Sequence, residues 1–568
     1  MSNQVIPIEL EQALLSLVSG DILQVPPAFN VESDLFVAGL DSMAIMQMLL
    51  LIEERFGITV PVESVSRNNF STVRAVAALL VQRGWHALDS PVPIPAVNPK
   101  PDPVTNAVAQ TASMTAAFRR LPLRDCDFFV VAFDQMIRDS GGNGHTAHSF
   151  LELEACPDVV ALQRVIASLP EKYPLLNARL TREWFLALPS WEPAERVKPI
   201  EFRLWSQEGS PGKLHAQGAC SFSELQKLLE DFTNSPLRRD ADGWLNARFD
   251  LVEKCDGTFV FVFSWSHIIM DGVGAEHFLM EIERQVSGGR EAVSPYDFDE
   301  EETRRGWNER WKSARPMVKT FEALMKKPFG CLGPRELAAG RTHFETFTLT
   351  EAQTLEVARR SAAISGPLVN MPFHLACAMR AHFRVFQQRG KTPESLITNV
   401  PVQVRRKGAR GPMFQNHLTM FFGALDPEQM GSLDTAGRAL QEQHARFLKE
   451  KQGDAFRDLM WLMRPMPPGL HMKFIRWQMK GTFCSFYHSH TGMFAPELVT
   501  FFGARITNAY HVPGISGPPG TGLFGNERNG CLVLTFCWRE GALTRAERQL
   551  FMDQVYDDIG AGAAPLVS

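Results

Sequence analysis

The chain has 568 residues, of which 45% are hydrophobic and 21% charged. That composition is ordinary for a globular protein, and the length exceeds what one core usually holds, so two or more domains are expected. A net charge of −5 argues against a nucleic-acid partner, and nine scattered cysteines without a CxxC pair suggest neither a disulfide framework nor a zinc site.

The opening residues, MSNQVIPIELEQ, have neither a basic start nor an apolar core, so no signal peptide is read. The longest candidate for membrane insertion, MAIMQMLLLI, falls well short of the ~20 residues of a spanning helix. A cytoplasmic location without membrane contact is the expectation.

PIELEQALLSLVSG is the first helical pattern, with apolar positions at Ile8, Leu14, Leu15, Leu17 and Val18. In DLFVAGLDSMAIMQMLLLIEERFGITVP, Asp41 or Ser42 suits an N-cap, residues 43 to 56 form helix readily, and Gly57 marks the end. FSTVRAVAALLVQRG is a further amphipathic helix, and residues 1–86 predict a small helical bundle. Residues 91 to 103, PVPIPAVNPKPDP, are proline at nearly every second position. Proline fixes φ and removes donors, so 87–115 predicts an extended linker, reaching about 90–100 Å at about 3.3 Å per residue.

From 116 to 568 strand and helix patterns alternate. HSFLELE, KPIEFRLW and LNARFDLVE read as strands and PDVVALQRVIASLP as a helix. TFVFVFSWSH is apolar on both faces, as a fully buried strand is, and VGAEHFLMEIERQV is a helix. After about 340 the alternation restarts with HFETFTLT, a T-x-x-Q helix start at Thr350, then SLITNVPVQVR, HLTMFFGAL and GCLVLTFCWREG. Thr544 with Glu547 makes a capping box for a last helix. Two similar α/β halves are predicted, about 116–335 and 336–568, with a site in the cleft between them.

SWSHIIMDGVG, residues 264 to 274, ends the most apolar strand and opens a helix. A histidine at a strand exit, with a pKa of about 6.5, can take or position a proton near neutral pH. His267 is therefore the candidate base or nucleophile-orienting group. Asp271, past the turn, is read as structural, pairing with a buried arginine such as Arg179 or Arg405. Gly272 would let backbone approach closely and turn its N–H toward an oxyanion. Ser485, in TFCSFYHSHTG, is a further candidate donor. Other stretches carry less. GGNGHTAH at 141 to 148 lacks a strand–loop–helix phosphate cradle and reads as a mobile loop, and GPPGTGLFG lacks the P-loop lysine. His488 and His490 have no third ligand placed beside them, so no metal is expected.

D-x-F-x-x-x-G-L-D-S-M, from Asp34 to Met43, resembles an acyl or peptidyl carrier protein. The resemblance implies that Ser42 carries 4′-phosphopantetheine, added by a phosphopantetheinyl transferase and loaded in trans by an adenylating enzyme or synthase. The remainder resembles the condensation-domain superfamily, which includes chloramphenicol acetyltransferase and wax-ester-forming enzymes. That likeness rests on H-x-x-x-D-G at His267 to Gly272, and more loosely on RRLPLRDCDFF, YPLLNARL, VPVQVRR and FQNHLTMFF. It implies an α/β fold, a two-lobed chloramphenicol-acetyltransferase-like domain with a central tunnel behind the carrier. The family's first motif histidine is Ser266 here, which bears on the acceptor more than on activity.

The expected function is transfer of an acyl or aminoacyl group from the Ser42 thioester to an amine or alcohol, with release of the chain from its carrier. This belongs to the secondary metabolism of nonribosomal peptides and polyketides. The acceptor is a free small molecule or one held on a separate carrier. Two alternatives stay open: a non-catalytic scaffold that presents the carrier, and a cyclising or hydrolytic release enzyme.

Overall fold

A computed structural model describes residues 6–85 and 121–567, apart from 27, 41, 62–63, 65, 67, 186, 207–221, 241–242, 289–294, 297–304, 334–339, 367–368, 407, 410, 479–481 and 483. The predicted linker lies outside the described residues. The chain divides into two compact units, one of residues 1–117 with 358–373 and 404–410, the other of 118–357, 374–403 and 411–568.

In the smaller unit three helices enclose one apolar core: α1 (Ile8–Leu17), α2 (Ser42–Phe56) and α3 (Val73–Gln82). Leu10, Leu14 and Leu17 of α1 meet Ile45, Met48 and Ile52 of α2 and Val73, Val76 and Leu80 of α3 in that core. This spacing of three and four residues is one helical stripe. Ile8, expected inside, is 66% exposed. It stands at the start of α1, off the stripe that Leu10 begins. Thr72 caps α3 by accepting the Ala75 N–H at 3.1 Å.

In the larger unit the elements that matter here are α4 (Asp125–Asp139), β1 (Thr146–Leu153), β2 (Glu201–Trp205), β3 (Ala247–Glu253), β4 (Phe259–Ser266), α5 (Gly272–Ser287), α6 (Trp307–Leu324), β5 (Thr342–Thr348), β6 (Leu396–Gln403), β7 (Leu418–Leu425), α7 (Leu433–Lys449), α8 (Gln452–Met463), β8 (Tyr487–Met493), β9 (Thr500–Phe501), β10 (Ala504–Val512), β11 (Thr521–Arg528), β12 (Cys531–Arg539) and α9 (Arg545–Ile559). One sheet runs β9-β10-β1-β4-β3-β2 and a second β5-β12-β11-β8. β6 and β7 form an antiparallel pair, Leu396 opposite Leu425 and Gln403 opposite Leu418.

β4 is buried at all eight positions, which explains its two-faced apolar sequence. Its neighbours are β1 and β3, both antiparallel. Phe263 stacks on Phe249 of β3 at 5.1 Å and meets Phe278 of α5 at 5.3 Å. Truncating Phe263 to alanine would cost about 3–5 kcal/mol, the usual range for a buried phenylalanine. The polar residues of β4 are also provided for: Ser264 Oγ lies 2.8 Å from His148 Nδ1.

The boundary expected near 335 does not divide the sheets. β9 and β10, from the C-terminal third, complete the N-terminal sheet, with His511 opposite Ser149. The local alternation of patterns carries no information about which sheet a strand enters. The two capping signals do hold: Thr544 accepts the Glu547 N–H at 3.3 Å and Thr350 accepts the Gln353 N–H at 3.2 Å.

Candidate active site

His267 is the first residue after β4. Its N–H donates to the His145 carbonyl at 2.9 Å, which fixes the strand exit against the start of β1. The chain then turns and enters α5, whose N-cap is Asp271. Asp271 Oδ1 accepts the Gly274 N–H at 2.8 Å and its Oδ2 accepts the His417 N–H at 2.8 Å. One carboxylate thus ends the turn and ties it to the segment before β7. Asp271 therefore holds two backbone N–H groups in place, and Arg179 stands 3.7 Å from Glu192.

The imidazole of His267 is gripped from two sides. Asn416 Oδ1 is 3.1 Å from His267 Nδ1. The amide of Asn416 has one consistent orientation, because its Nδ2 donates to Asp127 Oδ1 at 2.9 Å and to the carbonyls of His267 and Ile268 at 3.1 and 3.2 Å. Its oxygen therefore faces the histidine, Nδ1 carries the hydrogen, and Nε2 keeps the lone pair. On the other side, the His145 ring stacks on His267 at 4.2 Å and 7°. Burial lowers the His267 pKa below its usual value, opposed by the Asp271 charge. Burial, then the neighbouring His267, pushes His145 lower still.

Asp127 anchors this arrangement. Its Oδ1 also accepts the Asn416 backbone N–H at 2.8 Å, and its Oδ2 accepts the Arg124 N–H at the start of α4 at 3.2 Å. Burial pushes its carboxyl up to about 6 against the bonds from Asn416.

No local sequence pattern singles out Asn416, Asp127 or His145. The first two lie in FQNHLTMFF and RRLPLRDCDFF, quoted only as loose likenesses. His145 lies in GGNGHTAH, read as a mobile loop; the structure places Thr146 to His148 in β1, with His145 buried just before it. Ser266 Oγ, where the resemblance places a histidine, is 3.4 Å from Arg239 Nη2.

The structure also places Gly272 and Ser485. A methyl group on Gly272 would come no nearer than 3.7 Å to His511 Nε2, an ordinary contact, so no steric crowding requires glycine there. As the first residue of α5, Gly272 still has an N–H without an intrahelical acceptor. Ser485 is tied to β6: its Oγ accepts the Ile397 N–H at 2.9 Å, and its own N–H donates to the Ile397 carbonyl at 2.6 Å. No bond joins it to His267 among the described residues. His488 Nδ1 donates to the Leu523 carbonyl at 2.8 Å, and His490 stacks on His374 at 4.3 Å. Among the described residues no three side chains are placed to hold a metal ion, and no helix is long and apolar enough to cross a membrane.

Residues 12–80 match the family described as phosphopantetheine attachment site. No curated protein matches the chain. Among solved structures, the TRI3 trichothecene 15-O-acetyltransferase of Fusarium sporotrichioides is similar, with 11% identity over 78% of this chain and 95% of that one at a TM-score of 0.54. The first condensation domain of the calcium-dependent antibiotic synthetase gives 15% identity, 79% and 98% coverage, and a TM-score of 0.56. The starter condensation domain of rhizomide synthetase gives 13%, 80% and 96%, and 0.53. At such identities the likeness is one of fold. The protein is a phosphopantetheine carrier domain joined to a unit with the fold of condensation domains and acyltransferases. Its cofactor is covalently attached 4′-phosphopantetheine.

The carrier residues suit that group. Ser42 is the first residue of α2, whose first turn contains no acidic side chain. Free N–H groups and the positive end of the helix dipole favour a phosphodiester at such a position.

Proposed function

We propose that the chain transfers an acyl or aminoacyl group, held as a thioester on the arm at Ser42, to an amine or an alcohol. The attached group supplies a long arm ending in a reactive thioester. The observation that carries the reading is the hydrogen bond between His267 Nδ1 and Asn416 Oδ1 at 3.1 Å. It leaves Nε2 as a lone-pair acceptor on an imidazole that burial keeps unprotonated near neutral pH.

In this reading His267 Nε2 accepts the proton of the acceptor's N–H or O–H as that atom bonds to the acyl carbon, and returns it to the departing sulfur. His145 and Asn416 keep the ring from rotating. Asp271 fixes the start of α5, where the Gly272 N–H is a candidate oxyanion donor. The proposed divisions are a carrier at 1–86, a linker at 87–115 and a transferase at 116–568. The partners are a phosphopantetheinyl transferase, a loading enzyme acting in trans, and an acceptor that is free or separately carried. The setting is cytoplasmic natural-product biosynthesis.

Loading Ser42 with a labelled acyl chain and adding a panel of amines and alcohols tests this. The label is expected to leave Ser42 in the wild type and to stay in His267→Ala. Label that reaches Ser42 from another acylated carrier would reverse the direction. Label that never moves under any condition would leave the chain a carrier-presenting scaffold.

A further inference from the structure

A groove of about 990 Å³ lies between α6 and α7, floored by β6 and β7. Its volume is at the upper end of small-molecule sites. The floor is apolar, with Ile397, Phe421, Phe422 and Ala424 contributing. Phe421 and Ile397 are each 2% exposed.

One wall is charged in an unusual way. Lys312, Arg315 and Lys319 of α6 line the groove. They follow each other at spacings of three and four residues, so they are neighbours on one helix face. All three are exposed, and none has an ion-pair partner among the described residues. Lys327 differs, being tied to Asp426 at 2.6 Å. Like charges stacked along a helix repel one another, an arrangement that an anion in the groove would relieve. The α7 wall is mixed: Arg446 stands between Glu442 and Glu450. An anionic head is therefore directed to the α6 side, with its apolar body over Phe422 and Ile397.

We propose that this groove binds an anionic amphiphile, a carboxylate or phosphate head on an aliphatic chain, at a site separate from His267. The cationic row sets the sign of the ligand and the aromatic floor its apolar part. Neither feature enters the transfer chemistry, so the inference stands apart from the proposed function.

Calorimetric titration of the full chain tests it, using dodecanoate, dodecyl phosphate and dodecyltrimethylammonium below their micelle concentrations. Saturable binding of one or both anions is expected, with none of the cation. The head group that binds tells carboxylate from phosphate. The double variant Arg315→Glu, Lys319→Glu should weaken binding by at least about tenfold, and added salt should weaken it in the wild type. Ala439→Trp fills the groove without altering charge and should abolish binding, which provides a second route should the charge reversal disturb folding. His267→Ala should leave the affinity unchanged. Absence of saturable anion binding, equal binding of the cation, indifference to both groove variants, or loss of affinity in His267→Ala would each overturn the proposal.

Discussion

Asn416 Oδ1 stands 3.1 Å from His267 Nδ1, while Asn416 Nδ2 stands 2.9 Å from Asp127 Oδ1. The three side chains form a chain of hydrogen bonds with one consistent direction. The carboxylate orients the amide, and the amide selects the imidazole tautomer.

Asn416→Ala should remove that selection. Turnover is expected to fall by about 10–100-fold, less than the about 10²–10⁴-fold that a general base contributes, with KM little changed. Nitrogen-15 spectra should show His267 passing from an Nδ1–H tautomer to a mixture. An unchanged tautomer with full turnover would count against the assigned role.

The pH dependence has a defined sign. In the proposed reaction His267 acts unprotonated, and burial lowers its pKa from the usual 6.5. The acid limb of kcat/KM should therefore fall below pH 6.5, with activity retained above it. A midpoint clearly above 6.5 would mean that another group controls the rate.

Asp127 provides a stability test. Its folded value, about 6, lies above the ordinary 3.8, so the folded state holds the proton more tightly than the unfolded one. Its contribution is full below 3.8 and is lost as pH rises through about 6. Between about pH 4 and pH 6 the wild type should lose more stability than Asp127→Asn, which cannot ionise. Parallel stability curves from denaturant titrations would refute this.

Asp271→Ala and Gly272→Ala should separate sharply. The first leaves the buried N–H groups of Gly274 and His417 without their acceptor, at a cost of about 2–4 kcal/mol for a lost cap and an orphaned donor. The second adds a methyl group with 3.7 Å of clearance and should barely move the melting temperature. Similar melting temperatures for both would show that capping is not the role of Asp271.

Ser42→Ala should abolish the mass increase that a broad-specificity phosphopantetheinyl transferase gives with coenzyme A. Persistence of the increase would place the arm elsewhere.

The sequence revealed what is local. β4 was legible because every residue from Phe259 to Phe263 is apolar, and α9 because Thr544 and Glu547 lie three residues apart. His267 was legible because the strand exit and the glycine flank it directly. Asn416 was not, because its importance comes from a histidine 149 residues away. Asp127, 289 residues from Asn416, is further out of reach of any local pattern. His145 was obscured by its glycine neighbours, which suggested a loop where a strand begins.

The pairing of β10 with β1 sets a timetable for the molecule's birth. Tyr510 lies opposite Phe150, so two central strands of one sheet are 360 positions apart in the chain. At about 5–20 residues per second, a ribosome needs roughly 20–70 s to supply the later strand after the earlier one. Throughout that interval the edge of β1 that β10 will cover is open to any other extended segment. The larger unit cannot mature piecewise as it emerges, and expressing residues 116–335 alone would yield a sheet missing an interior strand. Separately produced halves should aggregate, whereas a slower, cooler synthesis or a holdase chaperone should raise the yield of the intact chain.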